Sequence, residues 1–185
     1  VSPSVGGEVT RAAAVAVVVA SAIVLLFIWF SFRRVSHAFR YGASAIAAML
    51  HNLLIAAGFF SIMGLLRGWE VDALFLTAIL TVVGFSVQDS IVVFDRVREN
   101  AQRRREPIAT LVNRSILEVI VRSVTTQLNA MFVMTAILVF GGASLEKFIA
   151  TWLVGMVSGT YSSICIAAPL LVEWETAAQR RAATA

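Results

Sequence analysis

Residues 73–94 read ALFLTAILTVVGFSVQDSIVVF, an apolar run in which Asp89 is the one charged side chain. A bilayer core about 30 Å thick takes roughly 20 apolar residues of helix, so the run is long enough to cross a membrane with a carboxyl group inside it. Working outward, four more runs of that kind appear, at 12–32, 42–66, 120–140 and 148–172. The second carries His51 and Asn52 near its middle, the fourth contains Arg122, and the fifth is free of charge. Over all 185 residues the chain is 59% hydrophobic and 14% charged, with a mean hydropathy of +0.85. Soluble domains are about 45–50% apolar and about 25% charged. The expected fold is therefore all-α, a polytopic membrane bundle of five transmembrane helices. A soluble enzyme, a nucleic-acid module and a disordered chain are excluded. The basic pI of about 10.2 does not point to nucleic acid, because the basic residues lie in segments flanking the spans.

Positive charge sets orientation in membrane proteins. Arg33, Arg34 and Arg40 follow the first span. Arg96, Arg98, Arg103, Arg104, Arg105 and Arg114 follow the third, and Arg180 and Arg181 lie in the tail. The opposite side holds only Arg11, Arg67 and Lys147, offset by Glu8, Glu70, Asp72 and Glu146. Eleven against three predicts an outward N-terminus and a cytoplasmic C-terminus joined by five spans. An outward start without a signal peptide predicts that a span and an extracytoplasmic segment precede Val1, with residues 1–9 as the end of that segment. The bundle then occupies 10–175, with a cytoplasmic connector at 95–119 and a cytoplasmic tail at 176–185.

Within the connector, Asp95 with Arg98 and Glu99 with Arg103 have the spacing of ion pairs on a helix surface. Pro107 marks a break or a new helix start. Ile108, Leu111, Val112, Ser115 and Ile116 repeat at helical spacing, which predicts an amphipathic stretch on the membrane face. The breaks at Arg67-Gly68 and Gly141-Gly142 predict tight antiparallel hairpins.

Ionisable groups inside a bilayer cost about 2.5–3.5 kcal/mol each on insertion scales, and so mark function or a specific partner. Asp89 lies roughly 24 Å along its span at 1.5 Å per residue, in the cytoplasmic third, flanked by Gln88 and Ser90. Desolvation there favours the neutral acid, whereas a nearby cation favours the carboxylate. Arg122 enters the next span from the same side and is the cation expected to reach a similar depth. Glu118, Thr125, Thr126 and Asn129 share its helix face, a polar stripe that cannot face lipid cheaply. Two readings stay open for each residue. Asp89 is a proton carrier or a static clamp between helices. Arg122 is its partner, or it snorkels to the headgroups or pairs with Glu118. His51 is a relay that titrates in the right range or half of a hydrogen-bonding pair with Asn52.

Gly155 and Gly159 form a G-x-x-x-G spacing that lets another helix approach closely, and Pro169 is expected to kink or end the last helix. Cys165 has no partner cysteine in the chain. No metal-ligand cluster, nucleophile triad or phosphate loop appears, so the expectation is no enzyme and no cofactor.

The stretch Gly84-Phe85-Ser86-Val87-Gln88-Asp89-Ser90, continuing through Asp95-Arg96-Val97-Arg98-Glu99-Asn100, resembles the signature of the SecF family. His51-Asn52-Leu53-Leu54-Ile55, with Gly58 and Ser61, resembles that family's second-span motif. Gly155-Met156-Val157-Ser158-Gly159, with Ala168-Pro169-Leu170-Leu171, resembles its last span. Two departures stand out: Asn52 where the pattern has a carboxylate, and a connector to the Arg122 span about one residue short. The resemblance implies five of the six helices in one half of a resistance–nodulation–division transporter, with a first span and a large extracytoplasmic domain upstream. It implies a bacterial inner-membrane subunit that uses the proton gradient for late, ATP-independent protein translocation. Implied partners are SecD, separate or fused, the SecYEG channel, other Sec membrane components, secreted chains and membrane lipid. Asp89 and Arg122 are the implied proton-coupling residues, with Gln88, Thr126, Asn129 and His51 in support. A small-molecule or lipid exporter half of the same superfamily, and a non-conducting scaffold for Sec components, remain alternatives.

Overall fold

A computed structural model describes residues 3–32, 38–103 and 106–184. Val1, Ser2, Arg33, Arg34, Arg104 and Arg105, which entered the arguments on topology and orientation, lie outside the described residues. Every described element is helical: α1 (Pro3–Phe32), α2 (Ala38–Arg67), α3 (Ala73–Arg103), α4 (Ile108–Phe140), α5 (Ala143–Ser162) and α6 (Ala168–Thr184). A π-helical turn, Ser163–Ala167, joins α5 to α6 without a break. In hydrocarbon only a helix satisfies its own backbone groups within one segment, which is why long apolar runs take this form. Among the described residues, four stretches are long and apolar enough to cross a bilayer: Phe39–Arg67, Ala73–Arg103, Ile108–Phe140 and Leu145–Arg181. The remaining expected span, 12–32, falls inside α1, which begins at Pro3, so residues 3–9 are helical.

The hairpins form where glycine permits them. Gly68 at φ +66° turns α2 toward α3, and Gly142 at φ +81° turns α4 into α5; only glycine adopts such angles without strain. Asp72 caps α3 by accepting a hydrogen bond from the Phe75 N–H at 2.9 Å. The 95–119 connector is mostly a continuation of its neighbours. α3 runs on to Arg103, and α4 starts directly after Pro107, whose carbonyl accepts the Leu111 N–H at 3.0 Å. The amphipathic stretch expected on the membrane face is thus the first turns of α4. It turns Leu111 and Val112 inward, not toward lipid, because Tyr41, Phe94, Val97 and Leu171 offer a protein surface there. Pro169 does not end the last helix. It cannot donate to the Cys165 carbonyl, and the wider turn just before it absorbs that loss.

Apolar clusters fill the two ends of the bundle. At the arginine-rich end Tyr41, Ala45, Ala48, Phe94, Val97, Leu111 and Leu171 pack together, with the Tyr41 and Phe94 rings edge to face at 5.5 Å. At the other end Ala56, Ile79, Val82, Trp152 and Met156 do so. Met49, Val83 and Val87 line the space between. Lipid is as apolar as leucine, so helices here are held by close packing and polar contacts rather than by water exclusion. Gly155 shows the first of these. A Cβ on it would stand 2.2 Å from Val82 Cγ2, so α3 and α5 touch where only hydrogen fits. Gly159, its partner in the spacing motif, is less constrained: an added Cβ would meet Asn52 Nδ2 at an ordinary 3.8 Å.

Candidate functional site

Between the apolar clusters lies a layer of buried polar side chains: Asn52 from α2, Ser86, Asp89 and Ser90 from α3, Gln127 from α4, and Ser158 and Ser162 from α5. It has two parts. In the first, Asn52 is the hub. Its Nδ2 donates to Ser86 Oγ and Ser162 Oγ, both at 2.7 Å, and its Oδ1 accepts from Ser158 Oγ at 2.6 Å. His51 Nδ1 lies 3.3 Å from the same Oδ1, and His51 Nε2 lies 3.2 Å from the Tyr161 hydroxyl. A neutral His51 that donates from Nδ1 and accepts from Tyr161 at Nε2 satisfies both contacts. All four hydrogen-bonding places of the Asn52 amide are then filled. His51 is thus one of an interhelical set with Asn52, Tyr161 and the serines.

The second part is Asp89. It is 8% exposed, and its Oδ2 accepts a hydrogen bond from Gln127 Nε2. Gln127 is itself 3% exposed, and its Oε1 is buried with no hydrogen-bond partner among the described residues. Ser90 next to Asp89 folds its hydroxyl back onto the Ser86 carbonyl at 3.1 Å and does not engage the carboxylate.

The structure does not bring Arg122 to Asp89, and the reason is register. α3 and α4 form a hairpin about Pro107, and their polar pairs follow one another in order away from it. Asn100 donates to Ser115 Oγ at 3.0 Å, Arg96 Nε donates to Glu118 Oε2 at 2.5 Å, and Gln127 then meets Asp89. Arg122 falls between the last two pairs, about 7 Å nearer the arginine-rich end at 1.5 Å per residue. There it is exposed and helps line a groove of about 440 Å³ with Val92, Asp95, Arg96, Glu99 and Glu118. Glu118, a possible partner along its own helix, is engaged by Arg96 and by Asn100 Nδ2 at 3.0 Å. The expected surface pairs form, Arg98 with Asp95 at 3.0 Å and Arg103 with Glu99 at 2.8 Å.

Of the expected supporting residues, Gln88, Thr126 and Asn129 are exposed. Thr126 returns its hydroxyl to the Arg122 carbonyl at 2.9 Å. These three do not gather at Asp89. Gln127 does, and sequence reasoning passed over it because it lies off the Arg122 stripe. Counting from Pro107 does not single it out: Asp89 lies 18 residues before the proline, and Thr125, Thr126 and Gln127 lie 18, 19 and 20 beyond it, so only the packed hairpin selects Gln127. Among the described residues no group of three His, Cys, Asp or Glu side chains gathers to hold a metal. The chemistry open to the site is the binding and release of a proton by Asp89, beside a neutral amide.

Known proteins resemble this chain over most of its length. The family described as "Protein export membrane protein SecD/SecF, C-terminal" matches residues 1–177. The protein translocase subunit SecF of Thermobaculum terrenum is 52% identical over 95% of this chain and 56% of its own length. Protein translocase subunit SecDF of Thermus thermophilus is 40% identical over 95% of this chain and 23% of its own. A crystal structure of SecDF from that organism, described as a translocon-associated membrane protein, superposes with a TM-score of 0.83 at 39% identity over 95% of this chain and 23% of that one. The chain spans just over half the length of the SecF relatives it matches and under a quarter of the fused ones. With its three motifs, its helical architecture and a match over nearly all of its residues, the chain belongs to the SecD/SecF family of protein-export membrane proteins.

Proposed function

We propose that this region is the proton-coupling bundle of a SecF-like subunit, in which Asp89 takes up and releases the proton whose gradient drives late steps of protein export. The observation that carries the reading is a carboxyl group buried between α3 and α4 against a neutral amide rather than a fixed cation. A permanent arginine partner would hold Asp89 ionised; glutamine leaves both protonation states accessible. Arg122 serves at the mouth of the site, in the charged groove that leads toward the arginine-rich end. That end is cytoplasmic on the eleven-to-three distribution of basic residues, with α1 entering from outside and the membrane being the bacterial inner membrane. The partners are a SecD half, which in relatives named SecDF is part of the same chain, then the SecYEG channel and the secreted chain.

The test is Asp89→Asn in the full-length protein. Asparagine keeps the shape and a hydrogen bond but cannot exchange a proton. Proton-driven stimulation of export falls to the background level while assembly with SecD is unchanged. Normal export in that variant supports a scaffold instead. Loss of resistance to a small molecule with secretion intact supports an exporter half.

A further inference from the structure

Gln127 is the only side chain that α4 buries beyond Ser115 among the described residues. The rest of that helix turns apolar groups outward, including Leu117, Val121, Leu128 and Phe132, at 59–77% exposure. Past Ser115 the apolar contacts of α4, from Ile116, Val119, Ala130, Met131 and Met134, are only partly covered, and the one side chain it buries fully there is an amide. That amide gives one of its two functional groups to Asp89 and leaves the other, Oε1, buried and unpaired. An unpaired buried acceptor is destabilising, so it calls for an explanation.

We propose that Gln127 is the positioning residue of the proton site, holding the Asp89 carboxyl in both its ionised and its protonated form by a half-turn of its amide. This rests on the reading of Asp89 as a proton carrier. With Asp89 ionised, Nε2 donates to the carboxylate and Oε1 waits. A proton from water adds to a carboxylate oxygen and makes an O–H donor. The amide then rotates about its terminal bond, Oε1 accepts that O–H, and Nε2 takes the place Oε1 had. No bond within Gln127 forms or breaks, and on release the proton returns to water. Each state has one hydrogen bond to Asp89 and one amide group left over, and the bond to the carboxylate, being charge-assisted, is the stronger of the two. A lysine or arginine has donors only and serves just the ionised state.

The other titratable groups on the elements around α3 do not compete for this role. On α2 and α5, His51 and Tyr161 are bonded to each other and to the Asn52 hub. On α4, Arg122 is exposed toward the groove, where Asp95, Arg96, Glu99 and Glu118 also lie. Cys165 of the π-helical turn is exposed, and the described charged groups of α1, Glu8 and Arg11, stand near its start.

The experiment uses the full-length protein in bilayers, with infrared difference spectra between acid and alkaline pH and proton-driven export measured over the same range. The band lost in Asp89→Asn identifies the Asp89 carboxyl. Gln127→Met keeps length and removes hydrogen bonding. It should raise the wavenumber of that band and move the export profile by about one pH unit toward alkaline pH, because charge-assisted bonds are roughly twice as strong as neutral ones. Gln127→Lys should move the profile the opposite way. A residue that merely filled space would shift neither. An unchanged band and profile in Gln127→Met overturns the proposal. Since the band reports the carboxyl itself, it decides on Gln127 even where Asp89→Asn leaves export intact.

Discussion

The polar layer contains two neighbouring sites built on opposite principles. At Asn52 every donor and acceptor of the amide is used, and three helices converge on one side chain. At Asp89 two side chains from two helices share one hydrogen bond, and a buried acceptor is left over. A fully satisfied network rigidifies the packing around it, whereas a partly satisfied one can be rearranged at low cost. The bundle thus has a lock between α2, α3 and α5, and an adjustable contact between α3 and α4. The helix carrying the adjustable side, α4, is also the one with the least buried surface of the four candidate spans.

The largest effect that would break this distinction is expected at the lock. Asn52→Leu removes the partner of Ser86, Ser158 and Ser162 together. At roughly 0.6–1.7 kcal/mol for each interhelical hydrogen bond in a membrane bundle, the loss is about 2–5 kcal/mol in unfolding from mixed micelles. Next comes the packing that sets the lock's distances. Gly155→Ala forces a methyl onto Val82 and should cost about 1–3 kcal/mol as an overpacked contact. Val82→Ala in the same chain should recover most of it, and no recovery would show that the clash is not what matters. Gln127→Met should change stability by about 1 kcal/mol or less, since it deletes an orphaned acceptor along with one hydrogen bond. Equal losses for Asn52→Leu and Gln127→Met would erase the contrast. The smallest effect is expected outside both sites. Arg67 pairs with Glu146 at 2.5 Å, but their side chains are 60% and 38% exposed. Arg67→Ala should shift unfolding by less than about 0.5 kcal/mol.

Much of the architecture was legible before any coordinates. Hydrocarbon leaves the backbone no alternative to helix, so run length and hydropathy suffice to locate α2, α3, α4 and α5. The glycine turns at Gly68 and Gly142 and the ion pairs of Asp95 with Arg98 and Glu99 with Arg103 follow from local spacing. Helix ends were harder. α3 continues nine residues past Phe94 to Arg103, and α6 runs through Pro169, because the polar turns pack on neighbours that a single run does not reveal.

The candidate site divides in the same way. A charged residue in a run of apolar ones identifies itself, so Asp89 was marked by its sequence context alone, and His51 beside Asn52 nearly so. Its partner was not. Depth counted from each span's own end brought Arg122 level with Asp89. The hairpin about Pro107 instead sets the register, and it places Gln127 opposite Asp89 with Arg122 about a turn and a half away. Sequence by itself thus determined that this chain is a bundle of apolar helices with a carboxyl group inside one of them, because lipid enforces both facts residue by residue. Only the tertiary structure decided what that carboxyl touches, because contact between helices depends on their mutual register, and register is a property of the packed pair rather than of either run.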